Sequence, residues 1–156
     1  MAQSEQITQL LSRLASAPAR FAAAISRLED ADSVTSAQAG EWSPVEVLAH
    51  VRASHDIIEP RIYYIVVRDE PPLLAYDDAR WAEVARYASL PVIESLEAMR
   101  LRRNELVRTL RGLSEADWQR TGTHEIRGQM TVLQIAEQIA DHDDEHIAQI
   151  EQSIGV

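Results

Sequence analysis

His142 and His146 stand four residues apart in the segment Ala140-Asp-His-Asp-Asp-Glu-His-Ile-Ala-Gln-Ile150. On a helix that spacing projects both imidazoles from one face, one turn apart. Two helix-borne histidines so placed can grip one divalent metal ion, at nitrogen–metal distances of about 2.0–2.1 Å. Both fall in the apolar stripe Val132, Ile135, Ile139, Ile150 and Ile154, so they should face a helical core. Polar rings in such a place need partners. His142-Asp-Asp-Glu145-His146 also matches the inverted zinc-protease motif H-x-x-E-H. That mechanism needs a third ligand well downstream, and the ten residues after His146 are too few to supply it. Glu145 is expected off the histidine face, as a solvated charge.

A third ligand must then come from another helix. Upstream stand His50 and His55, and His124 sits in a glycine-bearing stretch. Helical periodicity favours His55, which shares a stripe with Leu48, Val51 and Ile58. His50 falls toward the edge of that face, beside Val47, Ser54 and Ile57. Spacing alone leaves the choice open.

The elements that must carry these residues read as helices almost throughout. Ser4 is placed to cap a first helix with Ile7, Leu10, Leu11 and Leu14, continued by Phe21, Ile25 and Leu28 beyond Pro18, where a kink or a new turn is expected. Asp30 to Gly40 shows no periodicity and reads as a loop. Ser43, Pro44 and Glu46 form a capping box with proline at the first helical position, opening a second helix that should kink at Pro60. Asp69 to Asp78, with Pro71-Pro72, is a connection. A short helix follows over Asp78 to Tyr87, and a third long helix starts near Pro91 with Arg103 interrupting its apolar seam. Ser114 and Asp117 cap a short turn that ends at Trp118. Thr121 to Gly128 reads as a loop or small hairpin, and Thr131 with Gln134 caps a last helix to about Gln152. No segment has the pattern of a long strand. The sum is an all-α, four-helix bundle with short additional helices in its connections, expected as a single domain over 1–156.

Composition agrees. Aromatic residues are 5% of 156 residues, with 5 Gly and 6 Pro, so the core must be aliphatic and alanine-rich. Lys+Arg 15 against Asp+Glu 25 gives a net charge of -10, which disfavours nucleic acid and anionic membrane surfaces as partners. Without cysteine the chain has no disulfide and no thiol nucleophile of its own. The start lacks the pattern of a signal peptide, and a cytoplasmic location is expected.

Gly40-Glu-Trp-Ser-Pro-Val-Glu-Val-Leu-Ala-His50-Val and the His142–His146 segment resemble the two histidine signatures of the DinB/YfiT superfamily. The connection Asp-Glu-Pro-Pro-Leu-Leu and the turn Leu-Ser-Glu-Ala-Asp-Trp118 are similar as well, so the resemblance covers nearly the whole chain. It implies a bundle holding a divalent metal, Zn or Ni, through His50, His142 and His146. His55 then becomes a residue behind the ligands, a substrate-side group and first candidate for a general base, or a packed core histidine. The resemblance further implies activation of a low-molecular-weight thiol cosubstrate or of water against a small electrophile, as in a thiol S-transferase or a hydrolase, and a homodimer. The alternative is a non-catalytic metal-binding or dimeric stress-associated scaffold. A fourth protein ligand, such as His55 or an aspartate, would mark that structural role. Trp42 is expected to staple its loop to the bundle, with lining of a substrate pocket as the alternative, and Arg103 to snorkel to the surface, with pairing to a buried carboxylate or reach to an anionic substrate as the alternatives. Asp141, Asp143 and Asp144 are expected either to hold imidazole N–H groups or to form a solvated acidic face.

Overall fold

The computed structural model describes residues 2–28 and 41–153, with side chains from Ser4 onward; the loop expected over Asp30 to Gly40 lies outside the described residues. Four long helices form the bundle: α1 (Ala2–Ser26), α2 (Pro44–Val67), α4 (Val92–Arg111) and α6 (Val132–Ser153). The connections carry α3 (Asp78–Ala85), a 3-10 turn (Tyr87–Ser89) and α5 (Glu115–Gln119).

Local chemistry explains where the helices start. At α2 the Ser43 hydroxyl accepts the Glu46 N–H at 3.3 Å, and the Glu46 carboxylate accepts the Ser43 N–H at 2.8 Å. Ser114 and Asp117 repeat the device at α5, and Thr131 with Gln134 repeats it at α6. α1 begins at Ala2, so Ser4 lies inside the helix and does not cap it. Pro18 and Pro60 are both accommodated within unbroken helices.

The bundle is stratified along its length. One apolar layer gathers Leu14, Ile58, Ile62, Leu106, Leu110, Ile135 and Ile139. A second gathers Phe21, Val47, Leu48, Val51, Met99, Ile147 and Ile150. Each fully buried aliphatic side chain contributes roughly 1.5–3 kcal/mol. Between the layers each of α2, α4 and α6 places a polar residue: His55, Arg103 and Asp143, all buried.

Over Thr121 to Gly128 the hairpin alternative forms, extended to Thr131 and joined by a further strand from the Pro71-Pro72 connection. β1 (Pro72–Leu73), β2 (Thr121–His124) and β3 (Gly128–Thr131) form a small sheet in the order β1-β2-β3. β2 and β3 make an antiparallel hairpin pairing His124 with Gly128, while β1 runs parallel to β2. The strands are too short for an alternating pattern to show in the sequence. The sheet seats on the C-terminal end of α2, where Arg120 donates to the carbonyls of Ile65 (2.9 Å) and Arg68 (2.8 Å). Gly122 permits this approach: a Cβ there would lie 3.0 Å from Ile65 Cγ1, Leu73 Cγ and the Pro71 carbonyl oxygen. Because one of those neighbours is backbone, Gly122→Ala is expected to lower stability by about 1–3 kcal/mol in urea unfolding.

Candidate metal centre

His50 from α2 meets His142 and His146 from α6 where the two helices lie side by side. His142 Nε2 lies 3.1 Å from His50 Nε2 and 3.1 Å from His146 Nε2. One ligand nitrogen from each ring falls within a 4.8 Å group. Each imidazole nitrogen offers one in-plane proton or one lone pair, so His142 Nε2 cannot satisfy both neighbours by hydrogen bonding. A cation between them resolves the conflict. Nitrogens about 2.0–2.1 Å from one ion are about 3.3 Å apart in tetrahedral geometry and about 2.9 Å apart at right angles. The observed spacing falls between these values, so the donor set fits a divalent metal.

The outer nitrogens differ in their support. His146 Nδ1 is 2.8 Å from Gln149 Oε1, an acceptor, which places the proton on Nδ1 and leaves Nε2 its lone pair. His50 Nδ1 and His142 Nδ1 are buried without a hydrogen-bond partner among the described residues, and Asp78 Oδ2 stands 3.7 Å from the former. Burial, followed by the neighbouring histidines, lowers the His142 pKa to about 3. Burial likewise lowers that of His50, despite the opposing charge of Asp78. Both rings are therefore neutral at pH 7, the form that binds metal.

His55 does not join the three nitrogens as a free ligand. It is 3% exposed, with Nε2 2.9 Å from Asp143 Oδ1 and 3.0 Å from Arg103 Nη2. Arg103 takes the buried-carboxylate alternative and not the favoured surface one: it is 1% exposed, ion-pairs with Asp143, approaches Glu59 at 3.5 Å and donates to the Leu14 carbonyl at 3.3 Å. Asp143 of α6 and Glu59 of α2 draw its guanidinium into the core, and the α1 carbonyl of Leu14 closes over it. Burial alone would raise the Asp143 carboxyl, but His55 and Arg103 outweigh it and hold the group well below the usual carboxylate range. His55, His142 and Asp143 also lie close enough to form a metal group. Asp143 is already committed to Arg103 and to the His55 Nε2–H, however, so that second group is an ionic network.

The remaining candidates fall into place around this pair of clusters. Asp144 and Asp141 face α1, pairing with Arg13 at 2.6 and 2.7 Å, and Asp144 pairs with Arg20 as well. His124 is buried in β2 and joins neither histidine group. Glu145 is exposed, but it borders a hollow with His146, Gln149 and Trp42. Trp42 is more than a staple: its ring centroid lies 4.9 Å from that of His50. With Ala49, His50, Ala79 and Ala82 it lines an apolar hollow of about 540 Å³. Sequence reasoning missed Gln149, which its i+3 spacing from His146 could have revealed, and Asp78, which no local pattern marks.

The chain belongs to the DinB superfamily, whose family model matches residues 13–150. A protein of Oceanobacillus iheyensis named "putative metal-dependent hydrolase" is 29% identical over 74% of this chain and 67% of its own length. One of the same name from Halalkalibacterium halodurans is 22% identical over 97% of this chain and 88% of its own. Among solved structures, YfiT from Bacillus subtilis superposes with a TM-score of 0.88 at 20% identity, covering 96% of this chain and 86% of YfiT. A mycothiol-dependent maleylpyruvate isomerase superposes with a TM-score of 0.69 at 14% identity, covering 92% of this chain and 60% of the isomerase. Both likenesses define the fold, an all-α, largely four-helix bundle of the YfiT type.

The lowered pKa values carry a sign. A histidine whose folded pKa lies below its unfolded value of about 6.5 favours the folded state fully above that value and loses its contribution as pH falls. Metal-free protein is therefore expected to lose stability from about pH 6.5 toward about 3. His142→Ala should flatten part of that slope, as read from urea midpoints across the pH series.

Proposed function

We propose that this chain is a metal-dependent enzyme in which His50, His142 and His146 hold one divalent ion, Zn or Ni. Its role is to activate a low-molecular-weight thiol or water against a small electrophile. The observation that carries the reading is the convergence of three Nε2 atoms while His55 and Asp143, the candidates for a fourth ligand, are tied to Arg103. A three-histidine set without a fourth protein ligand among the described residues leaves positions for exchangeable small molecules, as catalytic sites do and closed structural sites do not. That feature favours an enzyme over a metal-stabilised scaffold.

A divalent metal held there supplies Lewis acidity that favours the deprotonated form of a thiol or of water at neutral pH. The chain's own groups do the rest. Gln149 fixes the His146 tautomer, and the ionic network around Arg103 fixes the rotation of α6. The apolar hollow lined by Trp42, Ala49, Ala79 and Ala82 offers a water-poor surface for the electrophile beside His50. His55 is sealed from that hollow and acts as a positioning residue, not as the general base expected of it. Glu145, exposed next to His146, and Glu41 are the carboxylates that line a separate hollow on the His146 side.

Because the chain has no cysteine, thiolate chemistry requires a thiol brought in by a cosubstrate. The mycothiol dependence of one structural neighbour supports the thiol branch, and the hydrolase names of the relatives support the water branch. Cobalt-substituted protein separates the two. Addition of a low-molecular-weight thiol is expected to produce a sulfur-to-cobalt charge-transfer absorption that is absent in His142→Ala. An unchanged spectrum, together with metal-dependent ester or amide hydrolysis, would contradict the thiol branch and leave the water branch.

A further inference from the structure

A second cavity, of about 280 Å³, lies between α2 and the β2–β3 hairpin, and none of the three clustered histidines lines it. Its wall includes Arg61, Arg127 and His124 at one end and Ser54, Asp78 and Gln138 at the other. We infer that this cavity binds a small carboxylate whose far end carries a hydrogen-bond donor.

The cationic end rests on Arg61. This arginine is 7% exposed and forms no ion pair among the described residues. Its Nη2 donates to the Leu74 carbonyl at 2.7 Å, and no other hydrogen bond engages the guanidinium among the described residues. A buried guanidinium without a carboxylate is costly unless a ligand supplies the countercharge, and its planar donors match a carboxylate. Its pKa is lowered by burial and then by Arg127, consistent with a cation that lacks a counterion.

His124 adds a neutral donor. Its Nδ1 accepts the N–H of Ile126 at 3.1 Å and that of Arg127 at 3.3 Å, so the ring proton sits on Nε2, the donating nitrogen. Arg127 brings a second positive charge on the exposed tip of the hairpin. Glu125, the acid of that hairpin, accepts the Ala75 N–H at 2.8 Å and does not line the cavity. The small sheet thus has a purpose beyond closing the bundle: it holds two donors over Arg61.

The opposite end is built from acceptors. Gln138 Oε1 is buried without a hydrogen-bond partner. Asp78 Oδ2 accepts from the Ser54 hydroxyl at 3.2 Å and keeps acceptor capacity. An amino or hydroxyl group on the ligand would satisfy this end, while a second carboxylate would be repelled by Asp78. The volume limits the ligand to a small organic acid.

The test is an NMR titration of the 15N-labelled protein, with metal and after chelation, using 4-aminobutanoate and butanoate as probes. Both are expected to shift the Arg61 Nε–H and His124 Nε2–H resonances in either metal state, with 4-aminobutanoate binding more tightly. Arg61→Gln should weaken 4-aminobutanoate about tenfold or more, the loss typical of a charged hydrogen bond. Arg127→Ala, at an exposed position that cannot unfold the core, should weaken it in the same direction. Absence of shifts at Arg61 and His124, or unchanged affinity in Arg127→Ala and a folded Arg61→Gln, would overturn the site. Shifts confined to His50, His142 and His146 would also overturn it, because the carboxylate would then be binding the metal. Equal affinity for the two probes would overturn the donor at the far end. The metal content of the same samples reports separately on the histidine centre.

Discussion

The bundle turns on one buried ionic knot. Arg103 of α4 reaches Asp143 of α6, His55 and Glu59 of α2, and the Leu14 carbonyl of α1, so one guanidinium engages all four long helices. Arg103, Asp143 and His55 occupy the polar layer between the two apolar clusters, and Leu14 of the first cluster contributes only its carbonyl. A buried ion pair adds little net stability, since desolvation offsets its Coulomb attraction. Its contribution is geometric. Aliphatic layers tolerate small rotations and slides of a helix, whereas hydrogen-bonded charges in a low-dielectric interior do not. Asp143 is adjacent to His142, and His55 lies five residues beyond His50. Fixing the first pair therefore fixes the azimuth at which the three histidines meet.

From that constraint the polar features follow in order along α2. His50 presents Nε2 to His142 and leaves Nδ1 facing Asp78 at 3.7 Å. One turn on, Ser54 holds Asp78 and opens the second cavity, which ends three turns from His50 at Arg61. The acidic connection and the hairpin close over this face of α2. Trp81 and Tyr87 both donate to Asp56, and Arg52 stacks over the Tyr87 ring at 4.1 Å, which seats α3 and the 3-10 turn beside the histidine centre. Surface pairs such as Arg13 with Asp141 and Asp144 bind α1 to α6 from outside, where solvent weakens them.

Much of this was legible in the sequence because it is local. The capping boxes at Ser43, Ser114 and Thr131 announce their helices within four residues, and the spacing of His142 and His146 announces a shared face. What was not legible depends on tertiary rotation. The stripe through Leu48, Val51 and Ile58 places His55 in the core, which is where it lies. The histidine that meets the α6 pair is His50, at the edge of that stripe, because the cluster forms at the rim of the bundle. The place of Arg103 in an apolar seam left surface and buried pairing both open, since nothing along α4 reveals that Asp143, ninety degrees or so from the histidine face, turns inward to meet it. The hairpin stood as an alternative to a loop over Thr121 to Gly128, but β1 and the reach of β3 to Thr131 escaped because two- and four-residue strands are too short to show a period. Family resemblance supplied His50 where periodicity left the choice open.

The central claim is that three converging imidazoles, and not the buried His55 network, hold one metal ion. Elemental mass spectrometry of untagged protein tests it most directly, comparing wild type with His50→Ala and His55→Ala. The account predicts close to one equivalent of divalent metal in wild type, little in His50→Ala, and retention in any folded His55→Ala protein. Retention in His50→Ala with loss in His55→Ala, or no metal and no uptake of Zn or Ni by wild type, would contradict it.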